Sequence, residues 1–143
     1  MPQLTKNTEF QLDPRLENDC AFITDLDLCR VLMMQDCQYP WFILVPRRAN
    51  VSELYQLSDN DLAQFYQESA YVGKAIMQAF EGHKLNLAAL GNVVNQLHVH
   101  HVVRYHHDLA WPHPIWGRHP VKPYSPEQLA ERIAQARACL IGT

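Results

Sequence analysis

The sequence predicts an α+β fold in which helices pack on an antiparallel sheet, and three observations predict it. Leu28–Met34 and Trp41–Val45 are strand-like runs joined by a short polar connection with no helix between them. Residues 58–80 carry apolar side chains at helical spacing. A further strand at Leu85–Leu90, a Gly91-Asn92 turn and a histidine-rich strand then read as a hairpin. Neighbouring strands without a crossover helix pair antiparallel, and a single long amphipathic helix must cover one face of such a sheet.

In chain order, residues 10–19 contain Asp13-Pro14 and several charges, which suits a surface segment or short helical turn. Gln35–Pro40 is the polar link after the first predicted strand, and Trp41-Phe42-Ile43-Leu44-Val45 is an unbroken apolar run stopped by Pro46. Such a run fits a strand covered on at least one face. Ser58, with Asp61 three residues on, resembles a capping box in which Asp replaces Glu or Gln. Leu62, Phe65, Tyr66, Ser69, Val72, Ile76 and Phe80 then form one stripe, and the helix ends near Gly82. Residues 111–117 hold prolines and two tryptophans, Trp111 and Trp116, which imply a defined loop packed by its aromatics. Ser125 with Pro126 marks a helix start, Leu129, Ile133, Ala136 and Leu140 its buried side, and Gly142 its end.

The chain has 143 residues, 48% of them hydrophobic, which suits one domain with one core. A net charge of −3 argues against a nucleic acid polymer as partner, since such binding draws on a basic excess. No apolar run approaches the roughly 18 residues of a membrane span. Met1–Lys6 has no signal-peptide core, so a cytoplasmic location is expected. Cys20, Cys29, Cys37 and Cys139 include no C-x-x-C pair and read as free, mostly buried thiols.

The run Asn95-Gln96-Leu97-His98-Val99-His100-His101-Val102-Val103-Arg104 concentrates the chemistry. Side chains alternate along a strand, so His98, His100, Val102 and Arg104 share one side and Leu97, Val99, His101 and Val103 the other. Two imidazoles held side by side can bind a metal, move a proton or attack an electrophile. His101, facing away, reads as a satisfied buried histidine, and His106, His107, His113 and His119 as surface or loop residues.

From Trp41 to Arg104 the chain resembles the histidine triad (HIT) superfamily of nucleotide hydrolases and transferases. Trp41–Arg48 matches its apolar strand ending in Pro and a basic residue, and Val51–Leu57 its entry into a long helix. The helix, the strand at Leu85–Leu90 and the His-Val-His strand follow in order. The family pattern is His-φ-His-φ-His-φ-φ, with φ apolar. His98 and His100 fill its first two histidine positions, and Val102 occupies the third. Trp41 stands where the family has a further histidine. A uridylyltransferase branch also lacks the third histidine but carries Gln there.

The resemblance implies a HIT-like domain over residues 1–143, with the match strongest over 41–104 and a loop plus C-terminal helix over 105–143. It implies His100 as a nucleophile toward the α-phosphorus of a nucleotide, with His98 arranging nucleophile and phosphate. Asn92, Asn95 and Arg104 become candidate phosphate contacts. Dinucleoside polyphosphates, as in diadenosine tetraphosphate hydrolases, are the favoured substrates, with nucleoside phosphoramidates the alternative, and a homodimer with no cofactor or metal is expected. Two other classes stay open: a nucleotide-binding adaptor without turnover, favoured by Trp41 and Val102, and a His-x-His metal-binding protein. No Asp or Glu follows His100 before Asp108, and no G-x-x-x-x-G-K loop is present to hold phosphates.

Overall fold

The computed structural model describes residues 9–142. Met1–Lys6, read above for a signal core, lies outside them. The elements run α1 (Pro14–Asp19), β1 (Cys20–Asp25), β2 (Cys29–Met34), β3 (Trp41–Pro46), a 3₁₀ turn (Leu54–Gln56), α2 (Asp59–Ala79), β4 (Lys84–Ala88), β5 (Val99–Arg104) and α3 (Pro126–Ile141). The five strands form one antiparallel sheet in the order β1-β2-β3-β5-β4, which is the predicted α+β class. Among the described residues no helix is long and apolar enough to cross a membrane.

The sheet is covered on both faces. On one side Val31, Met33, Phe42, Leu44, Val99 and Val103 pack against Phe65, Val72 and Ile76 of α2 and Ala136 and Leu140 of α3. On the other, Leu32, Trp41, Ile43, Val45 and Val102 meet Leu16 of α1 and Ala110 and Ile115 of the later loop. Double coverage explains why β3 shows no alternation: all six of its residues are buried.

Three helix starts and one stop follow the local sequence. Ser58 Oγ accepts from Asp61 N at 3.1 Å, opening α2. Ser125 and Gln128 exchange side chain-to-backbone bonds, both 3.2 Å, at the start of α3, and Gly142 ends that helix at φ 70°, a conformation suited to glycine. Asp13 caps α1 ahead of Pro14, so the helical option for residues 10–19 is the one adopted.

Three details depart from expectation. β1 is not among the predicted strands, and a register shift between Phe22 and Thr24 interrupts its alternation. Arg137 of α3 donates to the Ile23 carbonyl at 3.0 Å inside that irregularity, so the bulge is tied down by a helix more than a hundred residues later. The β4–β5 connection spans residues 89–98 in place of a tight Gly91-Asn92 turn, although Gly91 does take φ 70°. Gln96 holds this long loop, accepting from Asp13 N and donating to the Gln11 carbonyl, both at 2.8 Å. On α2, Tyr66 is 57% exposed and Glu68 is buried in the stripe instead. The Glu68 carboxylate accepts from Leu28 N at 2.9 Å and Cys29 N at 2.7 Å, binding the helix to the β1–β2 turn. A buried carboxylate is tolerated there because it satisfies two backbone donors. None of the four cysteines is paired; Cys20 and Cys29 are buried, Cys37 and Cys139 half-buried.

Candidate functional site

β5 presents His98, just ahead of its first residue, and His100 on the face opposite α2 and α3, while His101 faces α2. Their rings lie 5.1 Å apart, nearly perpendicular, and each residue is 7% exposed. Both line a pocket of about 420 Å³ with Arg15, Leu16, Asp19, Met34, Ile43, Leu90, Gly91, Asn92, Val93 and Val94. That volume lies in the range of small-molecule sites, and its walls are mainly apolar with a few polar groups converging at the histidines.

Each imidazole is oriented by its Nδ1. His98 Nδ1 lies 2.7 Å from the Gln96 carbonyl. His100 Nδ1 accepts from Trp41 Nε1 at 2.9 Å. Trp41 reaches it diagonally across the ladder, since Trp41 pairs with Val102 and Ile43 with His100. Trp116 closes the other side, edge-on to both His100 and Trp41 at 5.5 and 6.5 Å. Among the described residues neither Nε2 atom of the pair has a hydrogen-bond partner, and neither is sealed from solvent, which fits their place on the pocket wall.

Burial, with the neighbouring His98 and His101 adding to it, pushes His100 down to about 3, so the ring is neutral at physiological pH. His101 is pushed down to about 4 by burial. Its Nδ1 meets the Val99 carbonyl at 3.1 Å and its Nε2 meets Ser69 Oγ at 2.7 Å, the satisfied buried histidine expected from strand alternation. The unfolded chain protonates both rings near 6.5 while the folded chain does not. Their contribution to stability is therefore complete above about pH 6.5 and lost as pH falls toward the folded values. Urea midpoints measured between pH 7.5 and 4.5 should decline by an amount worth on the order of a few kcal/mol. A flat profile would contradict neutral burial of this pair.

The other expected site residues separate. Asn92 joins the histidine pocket. Asn95 faces a different hollow of about 500 Å³, lined with Glu9, Gln11, Asn50, Ser52 and Gln96 and containing no histidine. Arg104 is corrected outright: it is 1% exposed, and it neither reaches the pocket nor extends to solvent. Its guanidinium grips Asp108 through two bonds of 2.8 and 3.0 Å, donates to Asn86 Oδ1 at 2.8 Å and to the His113 carbonyl at 2.8 Å. The loop after β5 folds back over that side chain, which sequence alternation alone does not reveal. Arg15 and Asp19 at the pocket wall, and Trp41 as a donor, are not legible in the sequence because each comes to the histidine pocket from a distant part of the chain. His106, His107 and His113 are exposed and His119 is half-buried; Trp111 and Trp116 pack the loop as expected.

The sequence profile of the HIT domain matches residues 15–107. The chain belongs to the HIT family. A histidine triad protein from Marinobacter aquaeolei is 44% identical, with a TM-score of 0.90 over 92% of this chain and 96% of its own. Histidine triad proteins from Sinorhizobium meliloti and Bradyrhizobium japonicum are 39% and 38% identical. Both have a TM-score of 0.89 over 92% of this chain, covering 97% and 98% of theirs respectively. No curated protein matches the chain. This HIT chain therefore has the family's fold, with two histidines of β5 and its approach, His98 and His100, on one pocket and a tryptophan beside the pair.

Proposed function

We propose that this HIT protein is a nucleotide-binding hydrolase or nucleotidyl transferase acting at the α-phosphorus of dinucleoside polyphosphates, in the manner of a diadenosine tetraphosphate hydrolase. The observation that carries this is the place of His98 and His100, neither Nε2 sealed from solvent, on one largely apolar pocket, with Asn92 at its wall. A neutral imidazole attacks phosphorus through a lone pair and leaves again readily, which divides one displacement into two. Asn92 supplies a neutral donor for phosphoryl oxygens, and Arg15 is the cation among the lining residues. Asn95, from the neighbouring hollow, suits the part of a long substrate that runs beyond the histidines.

An anhydride suits this site better than a phosphoramidate. A departing phosphate leaves as an anion, whereas a departing amine needs a proton, and burial disfavours the protonated form of His100. The metal reading finds no third donor, since no group of three metal-ligating side chains occurs among the described residues. The adaptor reading keeps the support of Trp41 and Val102. The reading includes a cytoplasmic setting, which suits four unpaired cysteines. It also includes a homodimer formed through α2 and the adjoining edge strand β4, where Tyr66, Tyr71 and Leu87 are exposed.

The test is calorimetry with adenosine nucleotides beside a turnover assay on diadenosine tetraphosphate, with and without chelator. Release of mononucleotide that survives chelation is the expected result. Tight binding without product would move the protein to the adaptor class.

A further inference from the structure

Three arginines of this protein hold a carboxylate in the same way. Arg30 grips Asp25, Arg48 grips Asp61 and Arg104 grips Asp108, each through Nε and Nη2, with bonds between 2.7 and 3.1 Å. The two N–H groups on that edge point the same way and match the oxygens of a carboxylate or phosphate. At Arg132 the same edge holds nothing. Among the described residues Arg132 forms no hydrogen bond and no ion pair; its Nη1 is sealed from solvent, whereas Nε and Nη2 are not. Aromatic rings hold the group in place instead. Its central carbon lies 5.0 Å from the ring centre of Phe80, at the end of α2, and 5.6 Å from that of Tyr124, just ahead of α3. A ring face attracts a cation without cancelling its charge.

Arg132 lines a hollow of about 350 Å³ with Cys37, Tyr124, Gln128, Glu131 and Gln135, a volume within the range of small-molecule sites. Residues 128, 131, 132 and 135 recur at helical spacing, a polar stripe of α3 beside the stripe that meets the core. Cys37, from the link between β2 and β3, and Tyr124 wall that stripe in. Donors dominate the wall. Tyr124 Oη is buried with no partner. Gln128 Oε1 is taken by Ser125 N at 3.2 Å, which leaves the N–H groups of its amide. Among the lining residues Glu131 carries the one carboxylate; it is exposed and stands one position from Arg132, where helical side chains diverge. The hollow shares no lining residue with the histidine pocket.

We propose that this hollow is a second binding site, for a small molecule that presents a carboxylate or phosphate group to the Nε–Nη2 edge of Arg132, with Tyr124 and Gln128 as further donors. The site does not depend on turnover at the histidines.

The arginine side chains report on it directly. In ¹H–¹⁵N spectra of the Nε–H region, recorded at constant ionic strength, sodium acetate and sodium phosphate are titrated separately. The Arg132 signal, assigned by its loss in Arg132→Met, should move saturably with at least one anion, half-way in the millimolar range, while those of Arg30, Arg48 and Arg104 stay in place. Arg132→Lys also removes the Nε–H and assigns the signal if the methionine variant does not fold. A response to acetate alone identifies a carboxylate ligand, and a response to phosphate alone a phosphate ligand. No saturable movement with either anion, or movement of all four arginines in step, overturns the proposal. Tyr124→Phe keeps the ring and removes the hydroxyl, and should weaken binding on the order of tenfold. Unchanged affinity in that variant overturns the part given to Tyr124.

Discussion

Replacing Arg104 with methionine is expected to cost about 3–5 kcal/mol of stability, the range found when one partner of a buried ion pair is removed. Arg104 and Asp108 side chains are 1% and 4% exposed, so the orphaned carboxylate could not recover its charge stabilisation from water. Burial pushes the Asp108 carboxyl up, but the hydrogen bonds from Arg104 and from the backbone N–H groups of Tyr105 and Trp111 outweigh it and hold the group below its ordinary value. Without the guanidinium the balance reverses and the carboxyl takes up a proton more easily. Asn86 Oδ1 and the His113 carbonyl lose their donor as well, and the rings of Trp111 and Tyr39, 5.4 and 5.8 Å from the guanidinium carbon, lose a cation. Urea titration measures the loss. Adding Asp108→Leu should recover part of it, because the charge left unpaired is then gone too. A change below about 1 kcal/mol, accompanied by weaker nucleotide binding, would instead return Arg104 to the substrate.

The second large effect is the contrast between His98→Gln and His100→Gln. Glutamine keeps an amide donor but has no nucleophilic nitrogen. If His98 attacks, His98→Gln should lower kcat by a factor on the order of 10⁴ or more, as when a nucleophile is removed. His100→Gln should lower it on the order of 10², as when one transition-state donor is weakened. Steady-state turnover of diadenosine tetraphosphate gives both values, and the reverse order would assign attack to His100, as the resemblance implies. Circular dichroism at neutral pH checks that each variant folds. His100→Gln should also lessen the acid sensitivity described above, since one buried titrating ring is gone.

The histidine face illustrates how far local pattern reaches. Strand alternation separated His98 and His100 from His101, and all three stand where the two-residue period puts them. The same period put Arg104 on the histidine face but said nothing about the loop that encloses it. β1 shows a related limit: a bulge interrupts its period, and its anchor is Arg137 on the last helix.

What the sequence determined by itself was everything governed by neighbours within a few residues. It determined the antiparallel α+β class, the caps of α2 and α3, the apolar β3, the free cysteines and the pairing of two imidazoles on one face. Only the tertiary structure decided which of those groups are open and which are spent, placing Arg104 with Asp108, Asn95 in its own hollow and Arg15 beside the histidines. It also decided which group meets His100 Nδ1, because the indole that reaches it lies 59 positions away along the chain. Propensity and alternation act through the local backbone, whereas a hydrogen bond between strands exists only once the sheet has set their register.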